Sequence, residues 1–349
     1  MQRSIRIPVR VEPLVNVTFR RKIVVFTTTY LLAILGFLLF LYLKGYDGIS
    51  ILSHILFYTF TVGEGIRSLL STWGIVSIIA LGALISFKVR VWNIGLEGQY
   101  IAGAIGATYA ALFMPCISPL NLTLQLLLGF ILGMLWAFVP ALLYVLISVN
   151  EVLSTIMLNY VAVHLLEYLL YGPWSGTYGF PQTRLFPARF GQVGGLPSPL
   201  VAAIILFFIA YVVMYRLRIG LVYRFVGENR NAASLQGYNV KLVLLLCFLI
   251  SGGLAGVAGV FEASYELGYL SPGIVRGYGF AGIAAAVLGR LEPLTTLFAS
   301  LFIAFFLVGA YSVHLPALGF LAEGLLLIAH LSAEALTRYK IVIMRGGVY

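Results

Sequence analysis

From Arg216 to Lys241 the chain reads RLRIGLVYRFVGENRNAASLQGYNVK, a polar island between two long apolar runs. The apolar runs on either side fasten this short water-facing surface to a membrane. Within it, Gly227, Glu228, Asn229, Arg230, Asn231, Ala232 and Ala233 favour a turn followed by a short helix, with Gly227 suited to the turn. A docking element for another protein fits that description; so does an ordinary solvated connection, since most loops only connect.

Outward from the island the composition is that of a polytopic membrane protein. Of 349 residues 61% are hydrophobic and 10% charged, with a mean hydropathy of +1.01, against about 25% charged residues in soluble domains. The net charge of +10 therefore need not signal nucleic acid, because basic residues can be sorted by side of the membrane instead. Cys116 and Cys247 lack metal-ligand spacing and read as small core residues.

Apolar runs near the length of a bilayer crossing, about 20 residues, place spans at Ile23 to Leu43, Leu69 to Phe87, Gln99 to Met114, Leu122 to Ser148, Val152 to Tyr171, Leu200 to Tyr215, Leu242 to Glu262, Phe280 to Leu288, Leu294 to Ser312 and Pro316 to Leu336. The first follows Arg20, Arg21 and Lys22 and is longer than a signal-peptide core, so it is expected to stay attached as an anchor. Ten crossings put both termini on one side. With that side cytoplasmic, 17 of the 22 Lys and Arg lie inside, and only Lys44, Arg67, Arg184, Arg189 and Arg276 lie outside. The expected organisation is a cytoplasmic tail over 1–22, a transmembrane domain over 23–337 and a cytoplasmic tail over 338–349. An external loop spans 172–198, and the island is a cytoplasmic loop over 216–241. The nine residues Phe280 to Leu288 are short enough to be re-entrant, but parity would then put the basic C-terminus outside.

Two glycine-broken regions interrupt the spans: Trp92 to Gln99, and Gly268 through Pro272, Gly277 and Gly279 to Gly282. In transporters such segments in matching positions of two halves expose backbone and polar groups to a substrate path, and here one falls in each half. Asn93, Glu97, Gln99, Asn159, Tyr278 and Phe280 are the candidate lining residues, with close helix packing the alternative. Gly252, Gly253, Gly256 and Gly259 read more plainly as packing.

Other chemistries find little support. The GxGxxG of Gly277, Gly279 and Gly282 lies in a membrane segment rather than a βαβ unit, so it is not a dinucleotide site. No GxxxxGK[ST] loop is present, so ATP hydrolysis by this chain is not expected. Asp47 is the one aspartate, and His54, His164, His314 and His330 are scattered without ligand spacing. Among carboxylates in or beside spans (Glu151, Glu167, Glu262, Glu266, Glu323, Glu334), Glu323 is the most deeply placed. It is either functional or hydrogen-bonded to neighbouring helices.

Five stretches occur in order: NIGLEGQ from Asn93 to Gln99, NEVLSTIMLNY from Asn150 to Tyr160, VGENRNAA from Val226 to Ala233 with Gly237, SGGLAG from Ser251 to Gly256, and GIAAAVLG from Gly282 to Gly289. Together they resemble the permease subunits of bacterial and archaeal nucleoside and simple-sugar ABC importers, in the branched-chain amino acid and ribose permease superfamily. The likeness runs from about Leu69 to the C-terminus, and the first two stretches resemble the nucleoside branch more than the ribose branch. The resemblance implies an all-α, type II importer permease that sits in the cytoplasmic membrane and pairs with a second, different permease. It implies two cytoplasmic ATPases, which bind ATP and Mg, and an extracytoplasmic substrate-binding lipoprotein; no cofactor is expected on this chain. It also implies that Arg224 to Gly237 is the coupling helix set in a cleft of the ATPase, with Arg224, Gly227, Glu228, Asn229, Ala232, Ala233 and Gly237 as its residues. Arg290 and Leu291 depart from the small or polar pair usual in the family after the glycine at the position of Gly289. A simple-sugar permease is the alternative within the class. An ion-coupled secondary transporter using Glu97 or Glu323 is the alternative outside it.

Overall fold

The computed structural model describes residues 9–14, 18–114, 116–176 and 179–343. Parts of both tails, with Arg3, Arg6 and Arg345, lie outside the described residues. The chain forms two compact units, one built from the two ends of the chain up to Leu56 and from Ala310, the other from Phe57–Gly309.

In the first unit, α1 (Phe19–Leu43) packs on α13 (Ala317–Arg338), and the strands that flank them, β1 (Val9–Pro13) and β4 (Tyr339–Ile343), pair antiparallel with Val11 opposite Ile341. Thr18 caps α1 by accepting from the Arg21 amide, and Tyr30 Oη meets His330 Nδ1 at 3.1 Å between the two helices. Glu323 is buried within α13 of this unit. Sequence periodicity passed over one helix here, α2 (Gly48–Thr61), which extends into the second unit. Asp47 starts it by accepting from the Ile49 amide at 3.1 Å and the Ser50 amide at 3.3 Å. Its 14 residues reach only about 21 Å, short of the roughly 30 Å hydrocarbon core, which is why a search for full spans does not find it.

The second unit holds α3 (Gly63–Lys88), α4 (Leu96–Phe113), α5 (Ser118–Ile147), α6 (Glu151–Tyr171), α7 (Ser198–Arg216), α8 (Arg218–Glu228), α9 (Arg230–Leu235), α10 (Val240–Phe261), α11 (Tyr278–Leu288) and most of α12 (Pro293–Ser312). Two short strands, β2 (Gln192–Val193) and β3 (Leu196–Pro197), close the loop before α7. Among the described residues of the whole chain, eight helices are long and apolar enough to cross a membrane: α1, α3, α5, α6, α7, α10 with its continuation to Leu267, α12 and α13. They coincide with eight of the ten expected spans. The other two are α4, whose apolar run is diluted by Glu97, Gln99 and several glycines, and the 11-residue α11.

Glycine explains why α4, α5 and α10 form the centre. A methyl group on Gly256 would stand 2.2 Å from the Gly129 carbonyl oxygen, and one on Gly259 would stand 2.0 Å from that of Tyr100, so the backbones touch where any side chain would hold them apart. Gly252 and Gly253 face Ala137 and the Phe130 ring in the same way. Cys247 is buried in α10, but Cys116 is exposed in the short turn before α5 and is not a core residue.

The unit has two distinct ends, about 28 Å apart, as set by the 19 residues of α7. At one end the loop before α7 is stitched to the segment after α10: the Thr183 amide donates to Leu270 O, and the Phe186 amide to Gly268 O, each at 2.9 Å. At the other, Lys88 at the end of α3 pairs with Glu292 after α11 at 2.7 Å. The stretch from Gly268 to Glu292 therefore runs from one end to the other and is not re-entrant: α11 forms one half of the traverse and an irregular descent through Pro272–Ile274 the other.

Candidate functional site

The first broken segment, between α3 and α4, runs through the interior without helical hydrogen bonds of its own. Its amides need acceptors, because an unpaired buried N–H costs about 1–3 kcal/mol. One face of α6 supplies them. Glu151, Thr155 and Asn159 recur every fourth residue and so lie in one line along the helix. Glu151 Oε1 accepts from the Trp92 amide at 3.4 Å, Thr155 Oγ1 from Ile94 at 3.2 Å and Asn159 Oδ1 from Gly98 at 2.8 Å. Asn159 Nδ2 returns a bond to Ile94 O at 3.0 Å, and a Cβ on Gly98 would strike Asn159 at 2.9 Å.

On the opposite side Asn93 and Gln99 form a reciprocal amide pair, at 2.9 and 3.0 Å, and both are fully buried. Asn93 also donates to Ser251 Oγ on α10 at 3.0 Å and accepts from the Gly95 amide at 3.1 Å. Every polar atom of the Asn93 side chain is thus engaged, which fixes the turn that starts α4. Ser251 and Thr155 are part of this arrangement although neither stood out as a site residue. The four-residue spacing from Glu151 was the available signal for Thr155; Ser251 opens the SGGLAG stretch, but nothing in the sequence names Asn93 as its partner.

Glu97 joins the two broken regions. Its buried carboxylate accepts from the Gly277 amide at 2.9 Å through one oxygen and from the Gly279 amide at 2.6 Å through the other, at the N-terminus of α11. Both bonds come from backbone amides of the second broken segment. A helix N-terminus has unpaired N–H groups and positive partial charge, so a carboxylate suits it. Gly279 lets the segments close, since a Cβ there would be 2.3 Å from the Glu97 nitrogen. Tyr278 is buried, its ring edge-on to Tyr100 with centroids 6.2 Å apart, and Arg276 lies beside it, paired at 3.0 Å with the fully buried Glu262. Five of the six expected lining residues, Asn93, Glu97, Gln99, Asn159 and Tyr278, therefore come together. Phe280 does not: it is 44% exposed and points out of the cluster.

Two further carboxylates of the second unit have partners within the chain. Glu266 accepts from Ser71 Oγ at 2.9 Å, and Glu167 lies beside His164 on the exposed face of α6. In the first unit Glu334 pairs with Arg338 one turn on. Among the described residues no cluster of three or more His, Cys, Asp or Glu could hold a metal ion.

The island is two helices rather than a turn and a helix. Gly227 does not start the second; it lies inside α8 where a Cβ would meet Lys88 O at 2.1 Å, so α8 rests directly on the end of α3. Asn229 is the residue that starts α9, accepting from the Ala232 amide at 3.1 Å, while Glu228 ends α8. Gly237, at φ +86°, ends α9 in a conformation that glycine alone adopts without strain. Ala232 is half-buried and Ala233 is fully buried against its own chain, so Ala233 presents no surface to a partner. Arg224 donates to Met214 O at 3.2 Å and stacks over Tyr215, which ties it to α7. What α9 does present is Leu235, 91% exposed, a residue that composition did not single out. Arg230 reaches back from α9 to the Arg90 carbonyl at 3.0 Å and to Tyr144 Oη on α5.

A profile of the family described as the permease component of the branched-chain amino acid transport system matches residues 65–331. The glucose ABC transporter permease TsgB13 of Haloferax volcanii is 33% identical over 75% of this chain and 74% of its own length. The nucleoside ABC transporter permease NupB of Lactococcus lactis is 30% identical over 71% of this chain and 72% of its own. The guanosine ABC transporter permease NupP of Bacillus subtilis is 30% identical over 72% and 74%. In each of these organisms a second, less similar permease also matches.

Proposed function

Since the chain belongs to the permease component family of the branched-chain amino acid transport system, and so is a multi-pass membrane subunit of an ABC transporter, we propose that it passes nucleosides inward through the cytoplasmic membrane. In this reading a second, different permease completes the passage, two ATPase subunits that bind ATP and Mg drive it, and an extracytoplasmic lipoprotein delivers the substrate. Both termini and the island are cytoplasmic. The occurrence of matching permeases in twos within single organisms supports the heterologous pair.

One observation carries the coupling part of the proposal. The Arg230 guanidinium at the start of α9 holds the Arg90 carbonyl, two residues before the broken segment that begins at Trp92. From there the amides of Trp92, Ile94 and Gly98 are held by α6, and Glu97 grips the start of α11. A displacement of α9 by an ATPase is thereby passed to both broken segments, which border the passage in this reading. Asn93, Gln99, Asn159 and Glu97 act as the frame of that passage, with Tyr278 on its wall and Phe280 facing lipid or the second permease. Leu235 is the apolar knob that an ATPase cleft would bury.

The nucleoside reading draws on the permeases NupB and NupP, and on a cluster whose polar groups are mainly amides with few unpaired charges. The likeness to TsgB13 favours glucose as a second reading. Reconstitution of the complete transporter in liposomes, with ATP inside and radiolabelled guanosine, uridine or glucose outside, decides between them. ATP-dependent nucleoside uptake is expected. Uptake of glucose and of no nucleoside overturns the substrate assignment; uptake driven by an ion gradient without ATP overturns the importer class.

A further inference from the structure

At the end of the second unit where α3 and α7 finish, a cavity of about 610 Å³ opens beside the island. Four cationic side chains line it, Lys88, Arg90, Arg224 and Arg290, with Trp92 and Tyr215 at its wall. Glu228 and Glu292 are its acidic residues, so the lining carries two more positive than negative charges. Glu292 is spent on Lys88, at 2.7 Å, and the Arg224 guanidinium is held over the Tyr215 ring at 4.7 Å from its centre. The backbone here is forced. Of five non-glycine residues with positive φ among the described residues, three line this cavity: Arg90 at 55°, Arg290 at 55° and Leu291 at 56°. Strained conformations of this kind persist only where surrounding structure imposes them, and they gather at ligand sites.

The depth of the cavity indicates its occupant. Lys88 is the last residue of one spanning helix, Tyr215 is next to the last of another, and Arg290 lies between α11 and the start of a third. All three stand at the level where a bilayer changes from acyl chain to headgroup, and Trp92, 48% exposed, is of the type that settles there. Basic pockets between spanning helices on the cytoplasmic side suit the phosphate of an acidic phospholipid. We propose that this cavity binds the phosphodiester headgroup of an anionic phospholipid, with Arg90 and Arg290 contacting the phosphate and Trp92 lying along the glycerol. The lipid would brace the island against the end of α3, beside the contact of Gly227 with Lys88. The proposal rests on the cytoplasmic placement of the island given above, and not on which substrate is carried.

The test uses the complete purified transporter, delipidated in detergent, with phosphatidylglycerol, phosphatidylcholine, glycerol phosphate and inorganic phosphate as probes in native mass spectrometry and thermal melts. Wild type should retain phosphatidylglycerol at least tenfold better than phosphatidylcholine. The double variant R90Q/R290Q should lose that preference, and R90K/R290K should keep most of it, which separates charge recognition from misfolding. Equal retention of both lipids, or an unchanged preference in R90Q/R290Q, overturns the proposal. So does saturation by glycerol phosphate or inorganic phosphate as effective as the lipid. Loss of the ATPases from R90Q/R290Q with lipid preference intact would also overturn it, by assigning the cavity to the subunit interface. Because the readout is lipid retention, failure of nucleoside uptake would leave this result unaffected.

Discussion

Glu97→Gln separates a carboxylate that holds two helices together from one that carries protons. If one acceptor were enough, the change would be mild, since glutamine keeps a carbonyl oxygen. The geometry says otherwise, because both oxygens are used, one on the Gly277 amide and one on the Gly279 amide. In the glutamine variant one of these N–H groups meets an NH2, donor against donor, inside a site that is only 3% exposed. Losing one bond to a charged acceptor and stranding a buried donor costs about 1.5–3 kcal/mol. Glu97→Ala strands both donors and should cost more, about 3–5 kcal/mol, the range seen when a buried charge interaction is broken from one side. The expected readout is a melting temperature of the purified chain that falls from wild type to Gln to Ala. ATP-driven uptake should decline in the same order, with no dependence on the proton gradient. A Gln variant that melts like wild type would refute the bridging role. A Gln variant that melts like wild type but no longer transports, in a system responsive to the proton gradient, would restore the secondary-transporter reading.

Leu235→Glu should leave the melting temperature unchanged, because the side chain is 91% exposed, yet weaken ATPase co-purification at least about tenfold, given about 1.5–3 kcal/mol for burying a leucine. Retained ATPases would show that α9 does not dock through this residue. Ala233→Trp, by contrast, should lower the melting temperature of the chain itself, since Ala233 is fully buried; an unaltered melt would mean the loop repacks around the indole. Gly237→Ala imposes a side chain at φ +86° and should destabilise by about 1–2 kcal/mol, seen as faster amide hydrogen exchange over 229–240. Asn93→Leu should reduce stability as well as uptake, by about 1–3 kcal/mol, because it strands the Gly95 amide, Gln99 and Ser251 together; normal stability with lost uptake would instead place Asn93 directly on the substrate.

Hydropathy alone established that this chain is a helical membrane protein and located eight of its long helices, since about 20 apolar residues in sequence have few other fates. The line of Glu151, Thr155 and Asn159 was also present in the sequence, because a four-residue spacing on a helix is a face wherever that helix packs. The short α2 and the start of α9 were legible less well: the caps Asp47 and Asn229 are visible as residue types, but Gly227 offered an equally good local signal and lies mid-helix. The pairings that matter most have no local signature at all. Glu97 meets Gly277 and Gly279 across 180 residues or more, and Arg230 finds the Arg90 carbonyl across 140. Ser251 reaches Asn93 across 158. Such contacts depend on which helices become neighbours, and that is set where glycines on α4, α5 and α10 let backbones meet at a distance no side chain permits. Residue type supplied the donors and acceptors; only the tertiary packing, through those close approaches, decided which of them met.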